Sequence, residues 1–82
     1  MSSSIRHLMK GALDVQNACN LSGVLYSWAE AMRELRDIEP DQGTDWYNTH
    51  PLNVLYASKV ADLTGCQINF SDAYASALKM TA

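Results

Sequence analysis

Leu21-Ser22-Gly23-Val24-Leu25-Tyr26-Ser27-Trp28-Ala29-Glu30-Ala31-Met32-Arg33-Glu34-Leu35 is the stretch that decides the fold of this chain. Within it Leu21, Leu25, Trp28, Met32 and Leu35 recur at steps of four and three. That spacing lines one side of an α-helix. A helix with such a stripe must cover it, either with the rest of the chain or with another molecule.

Upstream, no proline interrupts Ile5 to Ile38. Ile5, Leu8, Met9, Ala12, Val15 and Cys19 continue the helical spacing, and Ser4 is the best placed N-cap. Residues 1–4 are otherwise expected to be disordered. A softer patch, Gln16, Asn17, Asn20, Ser22 and Gly23, lies between the two apolar runs. Two readings stay open: one long N-terminal helix, with a kink allowed, or two helices with a bend at Ser22-Gly23. The long helix is favoured, because one glycine costs a helix interior only about 1 kcal/mol.

Downstream, Asp37-Ile38-Glu39-Pro40-Asp41-Gln42-Gly43-Thr44-Asp45 reads as a loop, with Pro40 stopping the helix and Gly43 permitting a turn. Asp45 is expected to cap a short turn through Trp46 and Tyr47. Thr49 is expected to cap the next helix, from about His50 to Leu63, with Pro51 in its first turn and Thr64-Gly65 as its stop. Leu52, Leu55, Tyr56, Val60 and Leu63 form its apolar face, and Lys59 falls inside that face. Ile68 and Phe70 form a short connector, and Ser71 caps a last helix over residues 72–80, with Tyr74, Ala77 and Leu78 inward. The fold class is all-α: a small three- or four-helix bundle, one domain over residues 1–82.

With 82 residues and 48% hydrophobic content there is material for one core. Two cysteines are too few for a disulfide framework, so both are expected reduced and buried, with a single bridge open but unforced. The net charge of −3 disfavours direct nucleic-acid binding, which needs clustered Lys and Arg. No apolar run reaches the length of a membrane span. Met1-Ser2-Ser3-Ser4 has neither the basic residues nor the apolar run of a secretory leader, so a cytoplasmic location is expected.

Few segments suggest chemistry. Asp37, Glu39 and Asp41 alternate as at the start of a calcium loop, but Gln42 stands where glycine is needed and Asn48 where a bidentate glutamate is needed. His7, Cys19, His50 and Cys66 have none of the short spacings of a zinc site. No metal or cofactor is therefore expected. Ala61-Asp62-Leu63-Thr64-Gly65 has the flavour of a helix-turn-helix, yet the following helix would present acidic, aromatic and small residues where base and phosphate contacts belong. No nucleophile, base and oxyanion donor group together, so an enzyme is not expected.

What remains is a surface for contact. Asp37, Glu39, Asp41 and Asp45 make an acidic loop that can engage a basic partner, and Trp46, Tyr47, His50 and Lys59 stand beside it; the plainer reading is a merely solvated loop, with Trp46 plugging the end of the bundle and Lys59 snorkelling. A homodimeric adaptor is the alternative, pairing through Leu21, Leu25, Trp28, Met32 and Leu35. A small DNA-binding regulator using residues 51–80 is the second alternative.

The run Asn17–Val24, then Gly43-Thr44-Asp45-Trp46 with His50-Pro51, then Lys59–Gly65, resembles a pattern in short proteins of bacterial mobile elements such as phages and plasmids. No activity attaches to that pattern, so no residue takes a role from it. In size, charge and setting the chain is similar in kind to anti-CRISPR and other anti-defence inhibitors. That likeness implies a non-catalytic inhibitor that binds a host protein complex, a CRISPR effector among the candidates.

Overall fold

In a computed structural model the described residues are 4–65. They form four α-helices and one 3-10 turn: α1 (Ile5–Asp14), the turn Val15–Asn17, α2 (Leu21–Ile38), α3 (Thr44–Thr49) and α4 (Pro51–Leu63). The all-α bundle expected from the sequence is what these residues build.

α1 starts where Ser4 takes an extended backbone and its hydroxyl accepts the His7 N–H at 3.1 Å. Such a cap is worth about 1 kcal/mol. Ser4 therefore has a defined place, against the expectation of disorder through residue 4. Leu8, Met9 and Ala12 form the buried side of α1, with Ile5 and Val15 half-buried.

The single long N-terminal helix is corrected. After the 3-10 turn the chain becomes extended at Ala18 and starts a new helix at Leu21. The break lies at Ala18–Asn20 rather than at Ser22-Gly23. Its cause is Asn20, whose side-chain oxygen accepts the Gly23 N–H at 3.3 Å. An asparagine that satisfies an orphan N–H favours a helix start over a helix interior. Cys19, expected in the core, is exposed in this break.

The buried line of α2 is Val24, Ala31, Met32 and Leu35, with Trp28 half-buried beside it. It is rotated from the expected stripe: Leu21 is half-buried and Leu25 is 45% exposed. α2 packs on both α1 and α4, so it buries a broader arc than one partner would cover. Met9, Val24, Leu35, Leu52 and Leu55 are the largest fully buried side chains. Truncating such a leucine to alanine costs about 2–5 kcal/mol.

Two prolines set the next boundaries. Glu39, before Pro40, has φ −126° and ψ 73° and ends α2, because a residue before proline is excluded from the helical region. Gly43, not Asp45, is the N-cap of α3, and it makes no side-chain cap bond. His50, before Pro51, is extended for the same reason as Glu39, and it is His50 rather than Thr49 that caps α4. Its Nδ1 accepts the Leu52 N–H at 3.1 Å. α4 ends at Thr64, and Gly65 follows with φ +86°, the left-handed stop that glycine adopts without strain.

Among the described residues no helix is long and apolar enough to cross a membrane. Cys66, the Ile68–Phe70 connector, the Ser71-capped helix with Tyr74, Ala77 and Leu78, and hence the second half of the helix-turn-helix reading, lie outside the described residues.

Candidate functional site

The α2–α3 connection carries the four carboxylates. Asp37 sits in the last turn of α2, Glu39 at its C-cap, Asp41 in the turn after Pro40, and Asp45 in the first turn of α3. Asp37, Asp41 and Asp45 are exposed and Glu39 is half-buried. Asp45 is favourably placed at the start of a helix, whereas Asp37 stands at the unfavourable end of α2, where a cation is preferred. Arg36, its neighbour, supplies that cation. None of the four carboxylates forms an ion pair with the described residues. Elsewhere Arg33 pairs with Glu30 at 3.0 Å, as the helical spacing predicts, and Lys59 with Asp62 at 3.7 Å.

The loop backbone is anchored from α3. The Tyr47 hydroxyl donates to the Glu39 carbonyl oxygen. The Tyr47 ring lies in the core at 7% exposure, and the Arg36 guanidinium sits over it, 5.4 Å from the ring centre. Trp46, half-buried, meets the Tyr47 ring edge-on at 5.2 Å and the His50 ring at 5.0 Å. One aromatic cluster thus holds both ends of α3 and the start of α4.

This placement changes the expected roles. Tyr47, His50 and Lys59, offered by the sequence as partner-facing residues, are all buried, which fits instead the alternative in which the aromatics close the end of the bundle and Lys59 packs its stem. Their side chains are turned into the bundle, so they offer a partner little surface and instead hold the elements that carry the carboxylates. Burial lowers the His50 imidazole below its usual pKa, and nearby Glu39 opposes that shift. The neutral ring is what the cap requires, since Nδ1 must accept. Lys59 runs its stem through the α4 face and donates to the Gln16 carbonyl oxygen at 2.9 Å. Asp62 approaches that ammonium from the exposed side. Of the five stripe residues, Met32 and Leu35 are already covered within the chain, which leaves Leu21, Leu25 and the edge of Trp28.

Asn53 and Arg36 are the residues that spacing rules missed. The Trp28 indole donates to Asn53 Oδ1 at 2.9 Å, and Asn53 Nδ2 donates to the Asn48 carbonyl oxygen at 3.0 Å. Trp28 also stacks on Tyr56, rings 5° from parallel and 6.4 Å apart. Beside this fixed indole lies an open groove of about 290 Å³, lined by Leu25, Ala29, Met32 and Arg36 of α2 and by Asn48 and Asn53. No sequence signal points from α2 to Asn53. Arg36 was legible only as a charge on the outer face.

Among the described residues no three His, Cys, Asp or Glu side chains gather where one metal ion could be held. Compared with models of protein families, with curated proteins and with solved structures, the chain matches none.

Proposed function

We propose that this protein is a non-catalytic binding module that inhibits or modulates a protein partner through the acidic loop between α2 and α3. The observation behind this reading is the clasp from Tyr47 to the Glu39 carbonyl. It fixes a backbone whose carboxylates have no ion-pair partner among the described residues. A pre-shaped acidic surface suits a basic protein face, and it gives association that weakens with salt. It repels nucleic acid. In the setting that the mobile-element resemblance suggests, the partner is a host complex in the cytoplasm, a CRISPR effector for example. There the loop would occupy a basic groove that otherwise takes nucleic-acid phosphates.

A test is affinity capture from host lysate with the wild type and with a variant carrying Asp37→Asn, Glu39→Gln, Asp41→Asn and Asp45→Asn. Circular dichroism would confirm that both are folded. The wild type is expected to enrich a partner that the variant loses and that rising sodium chloride releases. Equal capture by both, insensitive to salt, defeats the reading.

The homodimer has less behind it, because Met32 and Leu35 are committed to the core. Light scattering separates the two readings, since a dimer would double the mass. The DNA-binding reading rests on residues 51–80, and a neutral response in low-salt DNA titration removes it.

A further inference from the structure

A cavity of about 190 Å³ opens between α1, α2 and Tyr56 of α4, on residues outside the acidic loop. Tyr26, Glu30 and Glu34 line it from α2, and their spacing of four puts them on one side of that helix. His7 and Gly11, also four apart, line it from α1. Gly11 leaves room there, since a Cβ at that position would meet nothing within 4 Å. Tyr26 is 71% exposed and Tyr56 is buried, so one aromatic wall stands in solvent and the other in the bundle.

The charge of the lining is one-sided. Glu30 and Glu34 are both half-buried, and carboxylates at this spacing repel each other. Arg33 pairs with Glu30 at 3.0 Å, but it is not part of the lining and its side chain is 70% exposed. Burial raises the Tyr56 hydroxyl above its ordinary pKa; a hydrogen bond with Ser27 opposes that, and the Asp14 and Glu34 carboxylates add to it. Among the described lining residues no Lys or Arg supplies a positive charge.

From this lining we infer that the cavity binds a small organic ammonium ion. The face of a tyrosine ring attracts such a cation, and the methyl groups of an alkylated ammonium pack on Leu8 and Ala31 while its charge lies by the carboxylates. A bare metal ion gains little from two rings, and an uncharged guest gains nothing from two carboxylates. The size agrees: a cavity of roughly 150 Å³ takes one benzene-sized guest, so this one holds a single alkylammonium group rather than a drug-sized molecule. A free ion and a trimethylammonium group on a partner's side chain share this chemistry.

The probe is tetramethylammonium chloride, titrated into isotope-labelled protein with sodium chloride holding the ionic strength constant and backbone amide shifts as the readout. tert-Butyl alcohol is the uncharged control of similar size. Saturable shifts are expected at Gly11, Ser27, Glu30 and Glu34 with the ion and not with the alcohol. The variants are Tyr26→Leu, at an exposed position compatible with folding, Glu34→Gln, and Gly11→Leu, which fills the space. With folding checked by circular dichroism, each is expected to bind about tenfold more weakly. The loop variant described above is expected to bind at full strength, so the acidic-loop reading and this inference fail separately. Shifts that do not saturate, an equal response to the alcohol, or equal binding by the folded cavity variants overturns the inference. Loss of binding in the loop variant also overturns it, because the ion would then be drawn to the acidic surface at large. A peptide carrying one trimethyl-lysine separates the two sources: tighter binding than the free ion assigns the cavity to a partner's side chain, and binding no tighter assigns it to the free ion.

Discussion

The Lys59 ammonium on α4 donates to the Gln16 carbonyl oxygen at 2.9 Å, joining residues 43 positions apart. Gln16 returns the contact through Nε2, which donates to the Leu55 carbonyl oxygen at 3.2 Å and to its own helix at Ala12. The centre of the 3-10 turn is thereby tied to the middle of α4. Lys59→Ala should lower stability by about 2–3 kcal/mol, from lost stem packing plus an unpaired carbonyl, while Lys59→Met should lose only about 1 kcal/mol. Urea denaturation of the two variants checks this. Equal loss in both would mean that the stem contributes nothing.

His50 gives the fold a pH response. Its imidazole is held below its ordinary pKa in the folded chain, chiefly by burial. The unfolded chain therefore binds the proton first as the solution is acidified. The stability that His50 contributes is complete above about pH 6.5 and is lost as the pH falls through the lower folded value. Thermal unfolding is expected to shift downward over that range in the wild type. His50→Asn keeps a cap acceptor without the titration and should flatten the response. An unchanged slope in that variant would assign it to other groups.

Ser58 is buried on α4, and its hydroxyl has no hydrogen-bond partner among the described residues. Its desolvation is uncompensated, so Ser58→Ala should raise stability by about 1 kcal/mol. A fall in the urea midpoint would show that the hydroxyl makes an interaction after all.

Gly11 lies inside α1 with open space where a Cβ would stand. Gly11→Ala should stabilise by about 0.5–1 kcal/mol through helix propensity and a less floppy unfolded chain. Differential scanning calorimetry would read the rise, and a lower Tm would mean that the space is used.

The boundaries that depend on local backbone chemistry were legible. Ser4, Pro40, Pro51 and Gly65 each act through their own covalent character, so their neighbours in sequence suffice. Asn20 was visible in the softer patch, but Gly23 drew the break toward itself. In the structure Gly23 is in the first turn, where it supplies the N–H that Asn20 caps. His50 as a cap was masked by Thr49, a stronger cap residue by type, because proline at 51 fixed the extended position one residue later. The buried face of α2 is rotated from the stripe of large side chains because the small residues Val24 and Ala31 carry part of the packing. Of the two partners of Lys59, Asp62 three residues on is legible from helical spacing, whereas the Gln16 carbonyl lies far away in sequence, where no spacing rule reaches. The carboxylates were found by composition, while the Tyr47 clasp that shapes them depends on the bundle being assembled.

Because Asp37, Asp41 and Asp45 stand outside the packing, while Tyr47 beneath them holds the backbone in place, the two jobs are divided between different side chains. Selection can rewrite the display without disturbing the mount. A lineage of such chains could therefore follow a changing target by exchanging a few exposed acids, and still keep the clasp, the cap and the core that make the molecule fold.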